Sequence, residues 1–123
     1  MCIRDSFCCA DGILIPMQCE YYALEGLSDL ISTVRRIYNE KNRQLRIITL
    51  LRVMYDPRVT LQQQVSQQLD QHFGDKVFKT IIPRNVRLAE APSYGMPGVV
   101  YDKNSKGAKA YVACAQELIE RLH

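Results

Sequence analysis

Charged and backbone-fixing residues concentrate in three short stretches of this 123-residue chain, each of which follows an apolar run. Loops with so much fixed backbone chemistry are more often functional than the helices between them. No Ser/His/Asp set with a recognisable spacing occurs, so the residue types favour ligand binding and assign no catalysis. The stretches are residues 16–21, with Pro16, Gln18 and Glu20; residues 54–60, with Asp56, Pro57 and Arg58; and residues 83–98, with Pro83, Arg84, Asn85, Arg87, Glu90, Pro92, Gly95 and Pro97.

A loop that could wrap a triphosphate is missing from the sequence. None of the six glycines lies in a GxxxxGK[ST] or GxGxxG pattern, and Lys106-Gly107 reverses the order that a phosphate-binding loop needs. The five cysteines are odd in number and have no CxxC spacing, which makes a zinc site improbable. They are expected to be buried or incidental thiols in a reducing cytosol.

The elements that must position the three stretches alternate along the chain. Continuous apolar runs at residues 12–16, 45–54 and 77–82 predict buried parallel strands. Apolar residues at steps of three and four predict helices over residues 22–40 and from Thr60, as N-cap with Gln63 in a capping box, to Gly74. This order predicts an α/β fold, and the three stretches then follow the carboxyl ends of strands, where such sheets bind ligands.

Shorter elements complete the prediction. Residues 85–91 are expected to form a short helix, residues 92–98 a rigid loop and residues 99–101 an extended piece. Ser105 is the expected cap of a last helix. Its inward stripe is predicted to comprise Tyr111, Val112, Ala115, Leu118, Ile119 and Leu122.

Bulk composition excludes several classes of protein. Hydrophobic residues make up 47% of the chain and the net charge is only +3, so disorder is not expected and charge alone identifies no nucleic-acid binder. No apolar run reaches the roughly 20 residues that a transmembrane helix needs. The start, MCIRDSFCCA, is too short and polar for a signal peptide, and its first six residues, MCIRDS, resemble a translated sequencing adapter. We expect residues 1–9 to be a non-native or irregular start and residues 10–123 to form one unit.

Three longer strings resemble one known family. They are IPMQCEYYALEGL at residues 15–27, IPRNVRLAEAPSYGMP at residues 82–97 and YDKNSKGAKAY at residues 101–111. They are similar, in order and without large gaps, to segments of ParA/Soj-type chromosome- or plasmid-partitioning ATPases. The resemblance covers residues 10–122 and implies a partial P-loop NTPase fold of Rossmann-like type. It consists of a parallel sheet flanked by helices that lacks the amino-terminal P-loop half.

The resemblance also implies a function for a longer parent protein. Members of the family bind ATP with Mg²⁺, form homodimers around the nucleotide, bind DNA nonspecifically and respond to a ParB-type protein, in the cytoplasm at the nucleoid. Their P-loop, water-positioning aspartate and magnesium-side motif lie upstream of the matching strings. Phosphoryl transfer needs the lysine and metal of that region. This chain alone is therefore expected to hydrolyse no ATP and to need no cofactor.

Residue roles follow from the same resemblance. Arg58 and Arg87 match arginines that contact DNA, with Arg84, Lys103, Lys106 and Lys109 as weaker candidates for the same patch. The alternative is that Arg58 and Arg87 are solvated or pair with Asp56 and Glu90. The residues that match the adenine pocket are Met54, Pro83, Arg84 and Asn85. Met54 could equally be strand-end core. Glu90 either closes over the base or caps the short helix.

Three further interpretations stay open. Gln18 and Glu20 are expected near the dimer or nucleotide face, although Glu20 could simply cap the following helix. Tyr21 and Tyr22 are expected to be packing residues. The chain could also be a non-enzymatic DNA-binding or dimerisation fragment, or a MinD-like relative. The acidic residues near its end disfavour the membrane helix of a MinD-like protein.

Overall fold

The computed structural model of the protein describes residues 3–122, except for the side chains of residues 4, 47 and 48. Strands and helices alternate along the chain, as the apolar patterns predict. The elements are α1 (Ile3–Cys9), β1 (Ile13–Met17), α2 (Ala23–Glu40), β2 (Ile47–Arg52), α3 (Thr60–Phe73), α4 (Val86–Glu90), α5 (Gly98–Tyr101) and α6 (Lys106–Leu122), with 3₁₀ turns at Gly74–Lys76 and Ala91–Tyr94.

The sheet is parallel, which confirms the predicted fold class. β1 lies beside β2 in a register that runs from Ile13 opposite Ile47 to Met17 opposite Arg52, with one irregularity between Ile13 and Leu14. The long crossover through α2 is what two parallel neighbours require. Both strands therefore end at the same edge, which is where the predicted ligand-binding stretches begin.

The prediction of a regular third strand over residues 77–82 is wrong. Val77 makes an isolated parallel bridge with Leu50 of β2, and Pro83, just after the run, makes another with Tyr55, which follows β2. The N–H of Phe78 binds the oxygen of Leu50, but the next β2 oxygen, on Arg52, accepts from Ile82. A regular parallel ladder would bring residue 80 there. Two extra residues therefore bulge out between the bridges.

Apolar side chains pack on both faces of the strands. One cluster joins β1 and β2 to α2 and α3, and Leu27, Val34 and Leu69 are buried in it. The other places Leu51 and Phe78 against Cys114 of α6. A strand covered on both faces explains the unbroken apolar runs in the sequence.

Helix ends agree with the prediction for α2 and at Gly74, and differ at the start of α3. Gly74 follows α3 with φ +43°, a left-handed conformation that glycine adopts without steric cost. Val59, in extended conformation, is the N-cap, and Thr60 is already helical. The predicted capping box is therefore wrong. The side-chain amide of Gln63 instead binds the carbonyl of Pro57.

α6 packs through a different face from the one that the sequence predicts. Ser105 does accept a bond from the Ala108 N–H (3.1 Å), so the predicted cap is confirmed. Gly107, Ala108 and Cys114 are the residues that α6 buries. Of the predicted stripe, only Leu118 packs against the core; Tyr111, Val112, Ala115, Ile119 and Leu122 are exposed.

Three smaller expectations also differ from the structure. Residues 99–101 form a helical turn behind the extended Pro97, not an extended piece. Tyr21 and Tyr22 are exposed and contact each other edge to face, 4.9 Å between ring centroids, so they are not core packing residues. Residues 3–9 are helical although their sequence shows no periodic pattern. Whether residues 1–9 are native stays a prediction.

Candidate functional site

A strained residue stands directly after β2. Met54 has a φ of +52°, in the left-handed region that non-glycine side chains rarely adopt. Such a conformation costs on the order of 1–3 kcal/mol and persists where surrounding structure enforces it, often at a binding site. The side chain is 46% exposed, so Met54 is not buried strand-end core.

The enforcing contacts come from the neighbouring turn. The N–H of Tyr55 donates to the oxygen of Ile82 at 3.1 Å, and the N–H of Arg84 donates to the oxygen of Tyr55 at 3.2 Å. These two bonds tie the residue after Met54 to both sides of Pro83. The two sequence-distant stretches are therefore fixed beside each other at one edge of the sheet.

Asn85 ends this turn and starts α4. Its backbone is extended, and its side-chain oxygen accepts from the N–H of Arg87 at 2.8 Å. Asparagine is among the strongest N-caps because its oxygen satisfies an N–H that has no intrahelical partner. The cap fixes where α4 begins and thereby places Arg87 in its first turn.

A cavity of about 380 Å³ lies between these elements and α6. Sequence reasoning placed three of its lining residues in one pocket: Met54, Arg84 and Asn85. Pro83 and Glu90, predicted for the same pocket, are not among the residues that line it. The full lining is Val53, Met54, Ile82, Arg84, Asn85, Val86, Leu88, Ala89 and Tyr111.

Tyr111 is the aromatic lining residue among those that sequence reasoning missed. Its place in an apolar stripe predicted an inward position, yet the ring is 42% exposed at the cavity. An aromatic ring beside a cavity mouth offers a flat apolar face. The signal in the sequence is its position four residues after Gly107, on the same side of α6.

Arg58 is paired in the structure. Its Nε and one terminal nitrogen each lie 3.0 Å from an oxygen of Asp56, and its backbone N–H binds the same carboxylate. The hydrogen bonds from Arg58 lower the pKa of the Asp56 carboxyl, and the charge of Arg84 lowers it further. Arg58 is nevertheless 88% exposed, so its guanidinium is open to a ligand.

Arg87 lies in a larger network. Its guanidinium is 3.4 Å from Glu90 and 3.5 Å from Asp102. The hydroxyl of Tyr101 binds Glu90 at 3.1 Å, and burial together with that bond raises the pKa of the Tyr101 hydroxyl. Glu90 thus neither lines the cavity nor caps a helix end; it joins Arg87 to α5.

Both arginines therefore show the ion pairs that the alternative interpretation named. Exposed ion pairs contribute only about 0–1 kcal/mol. Arginine–phosphate contacts are bidentate and charge-assisted, so a phosphate group can replace the carboxylate partner. The pairing leaves a phosphate-binding role open for Arg58 and Arg87.

The loop after β1 borders a separate groove. Gln18 and Glu20 line a cavity of about 440 Å³ with Pro16, Tyr22 and Leu27, between β1 and α2. Within residues 3–122 no group of three or more His, Cys, Asp or Glu side chains is placed to hold a metal ion. None of the helices in that range is long and apolar enough to cross a membrane.

Known proteins are similar to this chain in sequence and in fold. An AAA domain family model matches residues 1–47. The sporulation initiation inhibitor protein Soj of Bacillus subtilis is 50% identical over 109 residues, 89% of this chain and 43% of the relative. The chromosome partitioning protein ParA of Caulobacter vibrioides is 46% identical over 112 residues, 91% of this chain and 42% of the relative. The chain belongs to the ParA/Soj family.

The ParA/Soj chain spans about two fifths of the relatives that it matches. A solved structure agrees on the fold. Cobyrinic acid a,c-diamide synthase from Mycobacterium smegmatis, with a bound ATP analog and magnesium, superposes with a TM-score of 0.74 at 24% identity. The superposition covers 96% of this chain and 42% of that one. The P-loop NTPase fold class is therefore confirmed, with part of the fold supplied by this chain.

Proposed function

We propose that this chain is the carboxy-terminal half of a ParA/Soj partitioning ATPase, here called the parent protein, and that it supplies the adenine-binding side of the nucleotide site. The observation that carries the proposal is the meeting of Met54, Arg84 and Asn85 around one cavity at the carboxyl edge of the strands. Ligands of open α/β sheets bind beyond that edge.

The residues present suit a nucleoside base. The cavity combines apolar walls from Val53, Ile82 and Leu88 with polar groups on Arg84 and Asn85, the mixture that small-molecule sites use for binding and orientation. Glu90 and Pro83 do not line the cavity but hold residues close to it. Glu90 pairs with Arg87, and Pro83 bridges to Tyr55. Bound ATP with Mg²⁺ supplies the transferable phosphoryl group.

The residues that bind the triphosphate lie outside this sequence. Phosphoryl transfer depends on a lysine and a metal ion that stabilise charge on the phosphates, and no phosphate-binding loop occurs here. The chain alone therefore hydrolyses no ATP, and the parent protein is the ATPase.

DNA binding by the parent protein rests on Arg58 and Arg87. The charges of Arg58 and Arg84 both lower the pKa of the Asp56 carboxyl, so the two arginines lie on the same part of the surface. Contacts to phosphate groups position a protein on DNA without reading its sequence. Homodimerisation, stimulation by a ParB-type protein and action in the cytoplasm at the nucleoid complete the proposed role in partitioning of chromosomal or plasmid DNA.

Recovery of the upstream reading frame and a DNA retardation assay test the proposal. In the parent protein, Arg87→Glu is expected to abolish ATP-dependent retardation because it removes a cation and adds a like charge to the phosphates. Lys41→Glu, an exposed charge change at the far end of α2, is the matched control and leaves retardation intact. Unchanged retardation in Arg87→Glu rejects the DNA-binding role, and a reading frame without a P-loop rejects the ATPase.

A further inference from the structure

Two glycines press against the same leucine. A β-carbon placed on Gly98 would lie 2.4 Å from Cδ2 of Leu88, and one placed on Gly107 would lie 2.4 Å from Cδ1 and 2.6 Å from Cγ. Carbon atoms that are not bonded do not approach so closely, so a side chain at either position requires Leu88 to shift. Leu88 is thus held between the start of α5 and the first turn of α6.

Gly107 also touches the candidate base site. Its hypothetical β-carbon would be 3.2 Å from Cβ of Asn85, the residue that caps α4. Gly107 is buried, and Leu88 lies within the short helix that Asn85 begins. A side chain at position 107 would therefore push Leu88 out of its place and crowd the Cβ of the capping Asn85, and both shifts change how closely α6 packs on α4.

The same helix face carries Tyr111 one turn later. Residues four apart on a helix lie above one another, so the closeness of α6 to α4 at Gly107 sets how near Tyr111 stands to the Arg84–Asn85 turn. Tyr111, Arg84 and Asn85 all line the 380 Å³ cavity. Cavity width consequently depends on the contact between Gly107 and Leu88, and Leu88 itself lines the cavity.

We propose that Gly107 is a positioning residue, whose missing side chain lets α6 approach α4 so that Tyr111 and the Arg84–Asn85 turn form one slot for a purine base. This inference rests on the proposed function, because it assumes that the cavity holds a nucleotide base. The inference adds a source of base selectivity. The Gly107–Leu88 contact sets the width of the slot, and Tyr111 of α6 forms one wall of it, outside the loops that follow the strands.

The test compares ATP and GTP binding by the parent protein. Gly107→Ala is expected to weaken ATP binding about tenfold and to reduce the ATP/GTP affinity ratio, since a misplaced wall loses contacts made by the correct base. Leu88→Ala makes room for the added methyl group. The double variant Gly107→Ala/Leu88→Ala is therefore expected to recover the ATP/GTP ratio of Leu88→Ala alone.

If Gly107 is merely structural, Gly107→Ala lowers the melting temperature but leaves the ATP/GTP affinity ratio of the folded protein unchanged. That result overturns the inference. So does a ratio that the double variant fails to recover. Should Gly107→Ala not fold, Tyr111→Ala changes a partly exposed ring and is expected to lose at least several-fold in ATP affinity; an unchanged affinity overturns the inference. A wild-type parent protein that binds no ATP rejects the proposed function instead.

Discussion

Both the backbone N–H and the hydroxyl of Thr80 donate to the same oxygen of Glu117, Oε1, at 2.9 and 2.8 Å. The other oxygen of Glu117 accepts from the N–H of Lys79 at 2.9 Å. Arg121, one turn further along α6, binds Glu117 and the carbonyl oxygen of Val77. A helix side chain thus accepts from the Thr80 N–H, which the Arg52 oxygen of β2 would accept if residues 77–82 were a regular strand.

Removal of this carboxylate should destabilise the fold. Glu117→Ala removes the acceptor of the exposed Lys79 N–H and of the half-buried Thr80 N–H, and a hydrogen bond that water can partly replace contributes about 0.5–1.5 kcal/mol. We expect the free energy of unfolding of the parent protein, measured with urea, to fall by about that amount. Glu120→Ala, an exposed carboxylate on the same helix, is the control, and an equal effect of both variants contradicts the role of the Glu117 bonds.

The same carboxylate makes stability depend on pH. Burial acts to raise the pKa of Glu117, but bonds from the Thr80 and Lys79 N–H groups, the Thr80 hydroxyl and Arg121 outweigh it and lower the pKa. A lowered folded-state pKa contributes stability that is present above the unfolded pKa of about 4.3 and is lost as pH falls further. Wild type should therefore lose more stability than Glu117→Gln between about pH 5 and pH 3; parallel curves would contradict this.

The backbone conformation of Met54 should affect stability, and its side chain should affect ATP binding. Met54→Gly is expected to relieve the left-handed conformation and to leave the parent protein as stable as wild type or more so. Met54→Ala keeps the strain and removes the thioether. Both variants should weaken ATP binding in equilibrium titrations, because both lose the exposed side chain at the cavity. Full ATP affinity in Met54→Ala would show that the side chain does not contact the base.

The pair of Asp56 and Arg58 predicts a change in salt dependence. Arg58→Gln removes one phosphate contact, so the slope of log affinity for duplex DNA against log salt should become shallower by about 1. Asp56→Asn frees the guanidinium and should tighten DNA binding. Fluorescence anisotropy at several salt concentrations measures both effects. An unaltered slope in Arg58→Gln places the contact elsewhere.

The outer edge of β1 predicts self-association of the 123-residue chain expressed alone. Met17 directs its carbonyl towards β2, where Val53 binds it at 3.0 Å, so Leu14 and Pro16 present their backbone to the opposite edge. Within residues 3–122 no strand pairs with that edge, and unpaired edges associate. Sedimentation should show concentration-dependent oligomers. A cooperatively folding monomer would contradict this expectation.

Elements with a strong local pattern were predictable. Continuous apolar runs at β1 and β2, the three-and-four spacing of α2 and the stop at Gly74 are all confirmed. Burial of both sheet faces leaves few alternatives for such segments. The short helix expected over residues 85–91 was also placed near its observed position, Val86–Glu90, although the capping role of Asn85 was not predicted.

Features that depend on distant contacts were not predictable. Nothing near Thr80 in sequence indicates that Glu117 takes its N–H group, so the third strand was overpredicted. Tyr111 and Cys114 lie three residues apart on α6, yet Cys114 is buried and Tyr111 is exposed, a difference that the apolar spacing does not show. The helical turn at Gly98 opposes the extended preference of its valines because Gly98 packs closely on Leu88.

The central claim is that the turns at Met54 and Pro83 hold an adenine base in the parent protein. Photolabelling with 2-azido-ATP, competed by ATP and followed by peptide mapping, tests it most directly. The account predicts competable label in peptides that contain residues 53–58, 82–89 or 107–115. Label absent from those peptides and confined to other parts of the parent protein would contradict it.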